Sequence, residues 1–117
     1  MSYYHLEGQQ VLNSQGMVVG TISESPDGWD LFRDNRHVLT VKRGGSTIYF
    51  ADGTPIAEVT SNSINLYRNG TLDKSGGYGT PTLSPGCDDL TLSVALEQLS
   101  GMNNTGSWAH DAYNHMA

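Results

Sequence analysis

Four of the six basic residues, Arg33, Arg36, Lys42 and Arg43, fall within eleven positions of the chain, with His37 among them. This is the one basic concentration in the sequence, and it brackets Asp34-Asn35, a turn signal between two apolar-rich runs. If Trp29–Arg33 pairs with Arg36–Lys42 across that turn, Arg33 and Arg36 stand opposite each other, and Lys42 and Arg43 lie at the far end. Guanidinium forks suit carboxylates and phosphates, and Phe32, Tyr67 or Trp29 offers a ring on which a planar ligand can stack. Arg68 occupies the position matching Arg33 in a second, similar segment. The expected site for a small anionic, nucleotide-like ligand is therefore Arg33, Arg36, His37, Arg43 and Arg68 with Tyr67. The bland reading of the same residues is that charges beside turns protect sheet edges and keep the protein soluble.

Three other groups invite chemistry and give less. His110, Asp111 and His115 suggest metal binding, since Asp111 and His115 are four apart and share a helical face. His110 lies off that face, and a catalytic metal usually needs three protein ligands. Cys87 stands just before an expected helix, where a thiol can become more acidic. Asp88 and Asp89 beside it act in the opposite sense. Gly76-Gly77-Tyr78-Gly79-Thr80 is rich in glycine but is neither a dinucleotide fingerprint nor a phosphate loop, which needs Lys before Ser or Thr. Tyr78 at its tip is a candidate contact for a ligand or partner. No catalytic set is complete, no metal is expected and no cofactor motif is present.

The elements that must position these residues are legible in the turns. From residue 9 to about 73, short apolar-rich runs alternate with Gln15-Gly16, Asp34-Asn35, Gly44-Gly45, Asp52-Gly53, Ser61-Asn62 and Asn69-Gly70. Asn-Gly and Asp-Gly are hairpin signals because a type I′ turn needs positive φ at both central residues. The spacing predicts an antiparallel β-meander of about seven or eight short strands, forming a small barrel or sandwich-like sheet. Alternation assigns the faces: Trp29 with Leu31; His37 with Leu39 and Val41; Ile64 with Leu66, and Tyr67 opposite with Asn65.

The pattern also repeats. Val11–Ile22 aligns with Ile48–Val59 at an offset of 37, and Trp29–Asn35 with Ile64–Gly70 at 35. The difference is assigned to a longer loop over Ser23–Gly28. Two copies cannot cap a solenoid or close a propeller, so two pseudo-symmetric halves of one sheet are expected.

Lys74–Cys87 breaks the strand pattern with glycine and two prolines and reads as an extended loop. Asp88–Gly101 then reads as an amphipathic helix, about 88–100, with Asp88 or Asp89 as N-cap and Gly101 after its end. Leu92, Ala95, Leu96, Leu99 and Met102 make its apolar stripe, which should pack on the sheet. Residues 1–80 thus form the β domain. Residues 81–117 add the loop, the helix and a short C-terminal segment, within the same domain or at an oligomer interface.

Composition narrows the function. Charged residues make up 15% of the chain, against an average of about 25%. Gly, Ser, Thr and Asn together account for 44 of 117 residues. With a net charge of −6, this disfavours a coiled coil, a charged helical bundle and binding of nucleic acid through a basic surface. The first residues show neither the basic nor the apolar part of a signal peptide, and one cysteine permits no internal disulfide. A cytoplasmic protein that does not act on membranes is expected. The reading that follows is a non-catalytic binding or interaction protein: an inhibitor, an adaptor or a virus-encoded accessory factor. Its partner is another protein or itself, as a homo-oligomer. The anionic-ligand binder is the alternative, and a virion or assembly subunit a further one.

Overall fold

Asp34 and Asn35 adopt φ values of 53° and 64°, the left-handed pair that a two-residue type I′ turn requires. That turn joins two strands of a sheet in which each strand is followed by its antiparallel neighbour. The computed structural model describes residues 4–68, 70–73 and 79–99. In chain order the strands are β1 (Tyr4–Glu7), β2 (Gln10–Asn13), β3 (Val18–Ser25), β4 (Gly28–Arg33) and β5 (Arg36–Lys42). They continue as β6 (Thr47–Phe50), β7 (Pro55–Val59), β8 (Ile64–Arg68) and β9 (Thr71–Asp73), before helix α1 (Leu90–Leu99). Each strand pairs antiparallel with the next, giving one nine-stranded meander with β1 and β9 at its ends. The expected mainly antiparallel meander with one C-terminal helix packed on it is what forms. The additional strand is β1, whose Tyr-His-Leu-Glu sequence carries no clean alternation.

Asp89 starts the helix. Its Oδ1 accepts the Leu92 N–H at 2.9 Å, and its carbonyl accepts the Ser93 N–H at 2.9 Å. The helix packs on the sheet as its stripe predicts, and its burial extends well beyond that stripe. Leu92, Val94, Ala95, Leu96 and Leu99 are buried, and so are Thr91, Ser93 and Gln98. Strands as far apart in the sheet as β1 and β7 both touch α1, so the sheet curves around it. Val11, Leu31, Leu39, Val41, Ile48 and Leu66 line the inner face against Leu92, Leu96 and Leu99. The buried hydroxyls are satisfied: Thr91 Oγ1 donates to the Gly45 carbonyl at 3.1 Å, and Ser93 Oγ accepts the Ser84 N–H at 3.0 Å. The connection leading into α1 runs beside β1, where the Leu6 N–H donates to the Pro85 carbonyl at 2.9 Å. Gly86 is required there, because at φ 80° a Cβ would lie 2.1 Å from the Leu6 carbonyl oxygen.

The internal repeat is visible in the register. Val11 pairs with Gly20, and Ile48 with Ala57, at the expected offset of 37. Each ladder then shifts at its next position, to Leu12 with Val18 and Tyr49 with Pro55. The two halves therefore share the irregularity as well as the pairing. The region between β3 and β4 differs from expectation. Ser23–Ser25 continue as strand to the pair Ser25–Gly28, leaving only Pro26-Asp27 as the turn. The extra residues lengthen a hairpin and make no loop.

Candidate functional site

The hairpin that concentrates basic residues forms, with Arg33 directly opposite Arg36 and Gly28 opposite Lys42. Its arginines are nevertheless put to separate uses. Arg33, half-buried, donates from Nη1 to the Leu99 carbonyl at 3.2 Å, at the C-terminal end of α1. A cation there meets the negative end of the helix dipole. Arg33→Gln is expected to cost about 1 kcal/mol of stability. A chemical denaturation series on the two proteins measures it. Arg43 pairs with Glu24 at 2.6 Å, donates to the Ser25 carbonyl at 3.1 Å and lies 4.4 Å from the centroid of the Trp29 ring. Arg68, on β8, forms an ion pair with Asp73 across the last hairpin. Tyr67 lies opposite Leu72 in the same hairpin, on the face away from buried Leu66. Arg36 is exposed beside the turn. Arg33 caps the helix from the inner face, Arg43 closes the far end of its hairpin, and Arg68 braces another.

His37 lies on the opposite face from the one the alternation assigns. Leu31 pairs with Leu39, but Phe32 pairs with His37, so Val38 is an extra residue in β5. This bulge turns Val38 into the core beside Leu39 and moves His37 to the outer face with Phe32. There, His37 Nε2 lies 2.8 Å from Thr40 Oγ1, 2.9 Å from the Leu39 carbonyl and 3.3 Å from Asp30 Oδ1. Thr40 Oγ1 donates to Asp30 Oδ1 at 3.1 Å. The contacts converge on one ring nitrogen, so the cluster holds the imidazole in place and does not build a relay through both nitrogens. The ring also leans on Phe32, with centroids 5.5 Å apart.

Sequence reasoning missed this cluster, although its three side chains come from one hairpin. A regular hairpin through Asp34-Asn35 would set Asp30 opposite Leu39, and only the bulge brings it opposite Thr40. No described group of three or more His, Cys, Asp and Glu side chains is arranged to hold a metal ion. Tyr78, His110, Asp111 and His115 lie outside the described residues, as does the segment beyond Leu99. Cys87 is half-buried, with Sγ donating to the Asp89 carbonyl at 3.3 Å. No helix among the described residues is long and apolar enough to cross a membrane.

The outer face of β3–β5 is grooved on both sides of Phe32. One groove, of about 200 Å³, runs between Val18–Thr21 and the Asp34-Asn35 turn. The other, of about 490 Å³, lies toward Gln9, Gln10 and Ser23, and both share Phe32, Thr21 and Asn35 as lining. Met17 and Val18 add apolar surface at the neighbouring turn, 61% and 52% exposed. A third groove, of about 490 Å³, crosses the opposite end of the β4–β5 hairpin, over Gly28. Asp30 and Thr40 of the His37 cluster belong to the lining of this third groove. Comparison with protein-family models, with curated proteins and with solved structures gives no match.

Proposed function

We propose that the protein is a non-catalytic intracellular binding protein, of the inhibitor, adaptor or accessory-factor kind, that presents the outer face of β3–β5 to a protein partner. The observation that carries this is Phe32, half-buried between two grooves on a sheet whose reverse face is filled by α1. An aromatic ridge flanked by grooves, with exposed Met17 and Val18 beside it, has the make-up of an interface core. Thr21, Asn35 and His37 give that ridge a polar rim.

The alternative, a small anionic ligand held by Arg33, Arg36 and Arg68, has less support, since Arg33 serves the helix end and Arg68 pairs with Asp73. Self-association through the edge of β1 has lost one donor there, because the Leu6 N–H is already committed to Pro85.

Capture of partners from host extract tests the proposal when wild type is compared with Val18→Asp, Phe32→Ser and, on β8, Tyr67→Asp. All four proteins are first matched for cooperative unfolding. A partner retained by wild type and Tyr67→Asp, and reduced at least tenfold by Val18→Asp and Phe32→Ser, is the expected result. Equal retention by all variants, or no stoichiometric partner, overturns it. Val18 is exposed, so that variant keeps the test sound if Phe32→Ser unfolds.

A further inference from the structure

The groove over Gly28 lies at the end of the β4–β5 hairpin remote from the Asp34-Asn35 turn, and Phe32 and Val18 of the proposed partner face are not part of its lining. Gly28 is part of its lining and lies opposite Lys42. At φ 145° a Cβ on this residue would lie 2.2 Å from the Val41 carbonyl oxygen and 2.8 Å from the Arg43 nitrogen, so the close approach to β5 requires glycine. The lining carries charges of both signs: Asp27 and Asp30 from the start of the hairpin at β4, Lys42 and Arg43 at the end of β5.

Their commitments differ. Arg43 is neutralised by Glu24, and Asp30 is engaged through Oδ1 by Thr40 and His37. The Asp27 carboxylate and the Lys42 ammonium make no ion pair within 4.0 Å among the described residues. Lys42 Nζ instead sits 5.2 Å from the centroid of the Tyr49 ring. Opposite charges that line one groove and do not neutralise each other are each available to a ligand. A ligand of a single sign would meet its own charge at one end of the groove.

We infer that this groove binds a small zwitterion, a free amino acid or short peptide, with its ammonium group toward Asp27 and Asp30 and its carboxylate toward Lys42. A volume of about 490 Å³ accommodates a dipeptide, within the range of roughly 300–1,000 Å³ for small-molecule sites. Thr40 and the backbone of Gly28 supply polar lining between the two ends.

Titration of the isotopically labelled protein with three probes, followed by amide chemical shifts, tests this. The probes are glycylglycine, its N-acetyl derivative lacking the cation, and its C-terminal amide lacking the anion. Saturable shifts at Gly28, Thr40 and Lys42 are expected with glycylglycine, with at least tenfold weaker binding of both capped forms. Lys42 and Asp27 are exposed, so Lys42→Gln and Asp27→Asn should fold normally. The first should abolish discrimination against the amide, the second discrimination against the acetylated form. Absence of saturable shifts, equal binding of the three probes, or shifts centred outside the groove overturns the inference. Those outcomes leave the proposed partner face, carried by Phe32 and Val18, untouched.

Discussion

Leu96→Ala is expected to destabilise the protein by about 2–5 kcal/mol, a large part of the roughly 5–15 kcal/mol that holds a domain together. Leu96 is 0% exposed and belongs to the cluster that joins the helix to the inner face of the sheet. Two terms add: the apolar area returned to water, and the cavity left where surrounding strands cannot close in. The sheet is poorly able to relax into that cavity, because each strand is hydrogen-bonded to its neighbours from β1 to β9. The helix has no independent means of staying folded, since ten residues are too few for a stable isolated helix. Denaturant unfolding measures the effect, with Met17→Ala at an exposed position as control and an expected change within about 0.5 kcal/mol. A loss at Leu96 no larger than at Met17 would mean that α1 lies against the sheet without forming its core.

Gly20→Ala is expected to cost about 1–3 kcal/mol, although replacing glycine by alanine usually favours folding through the unfolded chain. A Cβ at this position would lie 2.3 Å from Leu99 Cδ2 and 2.6 Å from the Phe32 carbonyl oxygen. The matching position in the second half of the sheet is Ala57, which is fully buried and carries its methyl group without difficulty. The difference follows from the helix, whose last turn presses on β3 in the first half. The clash has a movable part and a fixed one. In a Leu99→Ala background the side-chain contact disappears, so the added cost of Gly20→Ala should fall by at least about 0.5 kcal/mol. It should not vanish, because the Phe32 carbonyl belongs to the β4 backbone and stays in place. Denaturant unfolding of the four proteins in this cycle gives the coupling directly.

The hairpins could be read from the sequence because their determinants are local. Asp34-Asn35 fixes its own turn, and the approach of Arg33 to Arg36 follows from that turn alone. The capping role of Asp89 is likewise contained within four residues. The features that are not legible depend on non-local geometry or on a single-residue irregularity. Arg33 has the sequence context of half an anion fork, yet its partner is a carbonyl 66 residues away. His37 changes faces because Val38 bulges, and a one-residue slip reverses every side chain beyond it. A run of Arg-His-Val-Leu-Thr-Val carries two adjacent residues fit for the core, and the sequence has no mark that says which of them breaks the alternation. The breadth of burial around α1 is hidden in a similar way. Ser93 and Thr91 read as the polar side of an amphipathic helix, until Ser84 and Gly45 supply partners that allow both to be buried.

The packing has one functional consequence. Because α1 fills the inner face of the sheet among the described residues, the proposed recognition falls to the outer face and its grooves. Backbone amide hydrogen exchange under native conditions tests that premise most directly. Amides of Val94–Leu99 should exchange only through global unfolding, with the same free energy as those of Leu39 and Val41 in the central strand. If the α1 amides exchange through a separate opening several kcal/mol below the global value, the helix is a detachable cover. The inner face of the sheet would then be open to partners, and recognition would not be confined to the outer face.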